Sequence, residues 1–188
     1  MANFEKCLKH VFEMEGGYSN HKDDTGGATN FGITQEVFNR WCKKHGSDSY
    51  HVNKINKGIA ADIYKEEYWD KMRLDELQDE KMALMLFDQG VNCGIYRSTK
   101  RAQNIANYVA GYKLATDGKM GAISMAHLND LIKKNKSRRF MFEFVKQTHL
   151  FYAKITRNSK KNKFFGPDYR SFIVGWTKRA NRLLELLI

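Results

Sequence analysis

The chain has 188 residues, 42% of them hydrophobic and 28% charged, with 32 Lys and Arg against 21 Asp and Glu for a formal net charge of +11. That length suits one domain, or one domain with a closely packed extension, and the composition is that of a folded soluble protein rather than a disordered or fibrous one. The longest apolar run, Met82 to Phe87, is far short of the roughly 20 residues that cross a bilayer, so no stable membrane insertion is expected. The basic surface favours polyanionic surroundings without choosing among nucleic acid, lipid and wall polymer. Glu5, Lys6, Lys9 and His10 interrupt the N-terminus, which therefore reads as folded protein and not as a secretory signal. Cys7, Cys42 and Cys93 are widely spaced within apolar patterns, which predicts buried free thiols and synthesis in the cytoplasm.

With Pro167 as the single proline and apolar residues recurring at three- and four-residue spacing, a mainly α fold is predicted. The first helix places Phe4, Cys7, Leu8, Val11, Phe12 and Glu15 on one face, with Asn3 as its cap and Gly16-Gly17 as its stop. From Tyr18 to Thr34 the string YSNHKDDTGGATNFGIT suits a turn-rich loop or a small β-hairpin. Further helices are predicted at 35–44, 58–71, 79–92, 98–110, 122–135, 137–157 and 168–187, with Ser98, Ser137 and Asp168 as caps of three of them. In the last, Tyr169, Phe172, Ile173, Trp176, Ala180, Leu183, Leu184 and Leu187 form a continuous apolar stripe. The basic stretches 133–139 and 157–163 read as solvated surface, and no internal repeat is present.

Glu15 is the last residue on an otherwise apolar helical face. Desolvation and the negative end of the helix dipole both disfavour its carboxylate, which suits a general acid that protonates a leaving-group oxygen. The competing reading is a rim glutamate bonded to nearby backbone. Asp24 follows within a polar glycine-rich loop that keeps it hydrated, so the two carboxyls would form the acid-plus-carboxylate pair of glycoside hydrolysis. Asp23 competes for that second role, and an Asp before Thr-Gly-Gly also serves as a turn-former.

The ordered string Glu15-Gly-Gly-Tyr18, Asp24-Thr-Gly-Gly27 and Thr29-Asn-Phe-Gly-Ile-Thr34 resembles the signature of glycoside hydrolase family 108, the EGGY muramidases of phage endolysins and bacterial wall-lytic proteins. The resemblance implies a lysozyme-like helical domain with a small hairpin or loop at the cleft, and Glu15 as catalytic acid. It also implies that Asp24 and Thr29 place a water or stabilise the cationic sugar. The spacing from Asp24 to Thr29 is one residue shorter than in phage-type lysozymes. The resemblance continues through FDQGVNCG at 87–94, Gln103, TDGKMGAIS at 116–124, and Gly175-Trp176 with Arg179. It implies a catalytic region at 1–90 and, at 91–188, a helical region similar to a peptidoglycan-binding domain, packed on the first as one unit. TDGKMG lacks the alternating oxygen ligands of a calcium loop, so no metal site is expected there.

Tyr18, beside Glu15, is placed to line a cleft, with structural packing as its other reading. Tyr68 and Trp69 close a helix so that one ring points outward if the other packs, and Trp69 is the candidate cleft wall; Trp41 and Trp176 read as core. Asn92 and Gln103 are candidates to bond N-acetyl or peptide groups, with capping as their alternative. The six histidines form no HExxH and no nucleophile dyad, which argues against a metalloprotease or amidase, and no nucleic-acid-binding motif is present. The expected activity is hydrolysis of the β-1,4 bond between N-acetylmuramic acid and N-acetylglucosamine by a monomer that needs no cofactor. The expected partners are peptidoglycan glycan strands and anionic cell-wall polymers rather than nucleic acid, reached after holin-type or other release. Two rivals stand beside it: a lytic transglycosylase using the same Glu15, and a non-catalytic wall-binding protein.

Overall fold

The computed structural model describes residues 1–15, 28–159 and 173–185. These form two compact units, one of Phe4–Glu67 and one of Met1–Asn3 with the described residues from Tyr68 onward. The division falls after Glu67 and not at the expected 90/91, where a helix runs through without a break.

In the first unit, α1 (Phe4–Met14) buries Cys7, Leu8 and Val11 on the predicted face. A two-stranded antiparallel sheet follows, β1 (Thr29–Asn30) and β2 (Ile33–Thr34). Thr34 ends the hairpin and caps α2 (Gln35–Lys44), its Oγ1 accepting the Val37 N–H at 3.2 Å. After a 3-10 turn at Val52–Lys54, Asn56 caps α3 (Lys57–Tyr64) by accepting the Ile59 N–H at 2.9 Å. The predicted helix 58–71 is thus split: α3 ends at Tyr64 and one turn of π-helix, Lys65–Trp69, continues it.

In the second unit, Asp79 caps α4 (Glu80–Cys93), in which Met82, Ala83 and every residue from Met85 to Gly90 are buried. Burial on all faces explains why this segment holds the longest apolar run and carries little amphipathic contrast. Gly94, at φ 87, turns the chain directly into α5 (Ile95–Ala110), which therefore starts before the predicted position 98. Ser98 is consequently no cap: it is buried inside α5, and its hydroxyl donates to Leu86 O at 3.0 Å. α6 (Ala122–Lys133), α7 (Ser137–Ser159) and α8 (Ile173–Glu185) complete the unit, while Asp168 and Gly16-Gly17 lie outside the described residues. Trp41 and Trp176, expected in the core, are only half-buried: Trp41 packs against the His45 ring at 4.5 Å and Trp176 stacks on Tyr152 at 5.3 Å.

Gln103, Asp88, Gln89 and Arg179 carry polar chemistry into this second core. The Gln103 amide donates to Asp117 Oδ1, Lys119 O and Ser124 Oγ and accepts the Gly118 N–H, so it fastens the TDGKMG loop instead of facing a ligand. Asp88, fully buried, accepts from Arg179 Nε at 2.8 Å and from Gln89 Nε2 at 3.1 Å. Cys7 and Cys42 are buried free thiols as predicted, whereas Cys93 is half-buried beside Gln89 and Tyr152, where burial pushes its thiol up from the ordinary range. Arg179→Met would leave the Asp88 charge buried without its cation. It is expected to lower the unfolding free energy by about 3–5 kcal/mol, read from a urea titration.

Candidate active site

The helical hydrogen-bond pattern of α1 carries one residue past its end: the Glu15 N–H donates to Val11 O at 2.9 Å. The Glu15 side chain is half-buried, and its carboxyl rests against the turn of the hairpin. A methyl group on Gly32 would stand 2.8 Å from Glu15 Cδ and 2.7 Å from the Tyr64 hydroxyl, inside contact distance of both. Only a residue without a side chain allows this approach.

The hairpin pairs Thr29 with Thr34 and Asn30 with Ile33, leaving Phe31 and Gly32 as its two loop residues. Their φ angles of 50° and 74° are the paired positive values that a two-residue type I′ loop requires. Glycine adopts that conformation freely, whereas Phe31 is held in it against its preference. Two contacts hold it. The Tyr64 hydroxyl donates to Phe31 O at 2.7 Å, and Phe12 of α1 packs on both rings, 5.9 Å from Phe31 and 5.8 Å from Tyr64. Strained backbone at a candidate site, fixed by surrounding structure, is a feature of pre-organised chemistry.

Two side-chain amides tie the hairpin to the chain beyond α2. Asn30, 6% exposed, reaches Val52 O and Asn53 O at 3.2 Å and Ile55 O at 3.4 Å through Nδ2. Gln35 grips the same segment from the other side, donating to Tyr50 O and accepting the Val52 N–H, both at 2.7 Å. Neither residue, nor Tyr64, is singled out by the sequence as part of a site. Asn30 and Gly32 sit inside the TNFGIT string, where a glycine ahead of the β-branched pair Ile33-Thr34 is a turn signal. Tyr64 offers none.

Among the sequence-predicted site residues, Thr29 lies half-buried in β1, in the hairpin whose turn glycine meets Glu15. Asp24 and Tyr18, with Asp23, lie outside the described residues. Trp69 is not a cleft wall: its ring is fully buried, with Nε1 donating to Asp75 at 2.7 Å and Phe87 edge-on at 5.3 Å, so the hydrophobic ring and its single donor are both satisfied inside the second unit. Asn92 belongs to that unit too, where Nδ2 donates to the Tyr152 hydroxyl at the border of a cavity of about 420 Å³. Among the described residues, no group of three or more His, Cys, Asp or Glu is arranged to hold a metal ion.

Residues 8–94 match the family model described as Glycosyl hydrolase 108. This part of the chain belongs to the glycosyl hydrolase 108 family. The protein is therefore a glycoside hydrolase, and Glu15, Thr29 and the hairpin all fall inside the matched segment. The match ends at 94, so the expected binding region at 91–188 lies almost wholly beyond it. Among solved structures the chain is similar to Brucella abortus SagA, at 29% identity and a TM-score of 0.71, over 98% of this chain and 92% of that one. No curated protein sequence matches it. The mainly α fold with its small antiparallel sheet is lysozyme-like, and family and neighbour together support a hydrolase of the cell wall.

The contact at Gly32 yields a direct test in this glycosyl hydrolase 108 domain. Gly32→Ala adds a side chain at positive φ and drives the Glu15 carboxyl aside. Since a displacement near 1 Å can cost about 100-fold in rate, a loss of that order in clearing of a cell-wall suspension, with the helical circular dichroism retained, is the outcome expected under the role proposed for Glu15 below.

Proposed function

We propose that this glycoside hydrolase cleaves the β-1,4 bond between N-acetylmuramic acid and N-acetylglucosamine of peptidoglycan, with Glu15 as the general acid. The observation that carries the reading is the Glu15 carboxyl itself, delivered by the last turn of α1 onto a hairpin loop that is fixed by Tyr64 and Phe12. A general acid must be held in one place relative to the bond it protonates, and the close approach of the Glu15 carboxyl to Gly32 supports that role.

In the reaction, Glu15 gives its proton to the glycosidic oxygen as the bond from that oxygen to the muramic anomeric carbon breaks. Positive charge develops on the sugar ring, and water supplies the oxygen that completes the new reducing end. Asp24 either orients that water or stabilises the cationic sugar, and Thr29, on the strand leading into the turn, assists it. The separation of the two carboxyls decides between inverting and retaining stereochemistry. Tyr18 is the substrate contact in this reading, and Trp69 is not.

The deciding experiment digests purified peptidoglycan with the wild type and with Glu15→Gln, followed by mass spectrometry of the released ends. Reducing muramic ends are expected from the wild type. Their rate of release should fall by about 10²–10⁴ in the variant, the contribution of a positioned general acid. Anhydro-muramic ends would make the enzyme a transglycosylase using the same Glu15. Equal release by both proteins would remove Glu15 from the chemistry.

A further inference from the structure

α5 and α7 lie side by side and antiparallel, Arg101 meeting Thr148 in the middle and Tyr108 meeting Arg139 at one end. Their charges are strongly segregated. α5 carries Arg97, Lys100 and Arg101 with no acid, and α7 carries Arg138, Arg139, Lys146, Lys154 and Arg157 with Glu143 as its sole carboxylate. Glu143 is answered by Lys146 at 3.3 Å, so it leaves the other cations of the pair without a carboxylate from either helix.

Between the two helices runs an open groove of about 510 Å³, with Arg97, Lys100 and Lys154 on its lips and Arg101 in its floor. Arg101 is 8% exposed, yet its hydrogen-bond partners are neutral: Nη1 donates to Gln89 Oε1 at 3.1 Å and to Thr148 Oγ1 at 2.8 Å. The rings of Phe144 and Phe151 face its guanidinium, each at 5.4 Å. Among the described residues it has no carboxylate partner, because Asp88, the buried carboxylate of this unit, is held by Arg179. A guanidinium withdrawn from water and left without a counter-charge is unfavourable, and low-dielectric walls direct its field into the groove.

The lip cations are already oriented. Arg97 bonds Cys93 O at 3.2 Å with one nitrogen, and Lys100 bonds the Tyr96 hydroxyl at 3.1 Å. Arginine's planar fork matches the oxygens of a phosphate, and an arriving anion would supply the charge that Arg101 lacks. Tyr96 at 56% exposure and Leu150 at 61% offer apolar surface beside the cations, suited to the carbon backbone between phosphates. At the far end Arg139 lies over Tyr108, so cations recur along the helix pair over a length of about 20 Å by the helical rise. A single small anion would use only one end of such a strip.

We propose that the groove between α5 and α7 binds a linear phosphodiester polymer of the cell wall, with Arg101 beneath it and Arg97, Lys100 and Lys154 along its edges. The phosphate chemistry comes from the groove, while the choice of a wall polymer over other polyanions rests on the cell-wall reading above.

The test measures binding of synthetic poly(glycerol phosphate) to the wild type and to the combined variant Arg97→Ala, Lys100→Ala, Lys154→Ala. A comparator that loses the same charge from exposed lysines of the first unit is Lys43→Ala, Lys54→Ala, Lys57→Ala. The groove variant is expected to bind about tenfold or more weakly, with the slope of log affinity against log salt reduced by about 2 to 3, while the comparator stays within about threefold of the wild type. Equal losses in the two variants would overturn the proposal by reducing it to overall charge. Tighter wild-type binding to oligothymidylate or to phosphatidylglycerol vesicles than to poly(glycerol phosphate) would overturn the choice of occupant. Glu15→Gln should bind the polymer as the wild type does, so the groove and the proposed chemistry fail or stand separately.

Discussion

The Glu15 carboxyl rests against the hairpin turn at Gly32, where a side chain would occupy the space the carboxyl fills. Much of the first unit is arranged around it. α1 sets the acid's position along its axis, the hairpin loop sets the surface it rests on, and Tyr64 at the end of α3 fixes that loop through the Phe31 carbonyl. Asn30 and Gln35 then bind the hairpin to the 50–55 segment, so that each side of the small sheet is anchored by hydrogen bonds other than its own. A ladder of two residue pairs is too short to be stable alone, and these side-chain bonds supply what the strands lack.

The second unit solves a different problem. Its central helix is buried on every side, and part of what it buries is polar: Asp88 and Gln89 meet Arg179, Arg101 and Tyr152 there. Such a network tolerates little displacement, because moving one member strands the rest away from water. It also fixes the side-by-side packing of α5 and α7, since Arg101 of one bonds Thr148 of the other.

Helix periodicity made most of the architecture legible. The face of α1, the extent of α2 and the start of α6 follow directly from the spacing of apolar residues. What escaped depended on contacts distant in sequence. Gly94 begins α5 three residues early because its conformation turns the chain at once, a property that no periodicity records, and Ser98 passes from cap to interior as a result. Trp69 reads as a ring that could face either way, and only the position of Asp75 and Phe87 around it decides the question. Gln103 reads as a ligand-facing amide until the loop it holds is seen. For the site, the motif string names Glu15, Thr29 and the hairpin. Tyr64 lies 33 residues from the carbonyl it holds, and a lone tyrosine at a helix end carries no trace of that role.

Phe31 carries a consequence for how this enzyme could change. Its backbone is strained, and asparagine would adopt the same conformation with less difficulty. The ring, however, packs on Phe12 above the acid's helix, and asparagine would give that contact up. With Glu15 in its proposed role as general acid, selection for heat resistance and selection for turnover would pull this one position in opposite directions. A variant that withstands higher temperature through substitution at 31 would do so by loosening the support beneath its own acid.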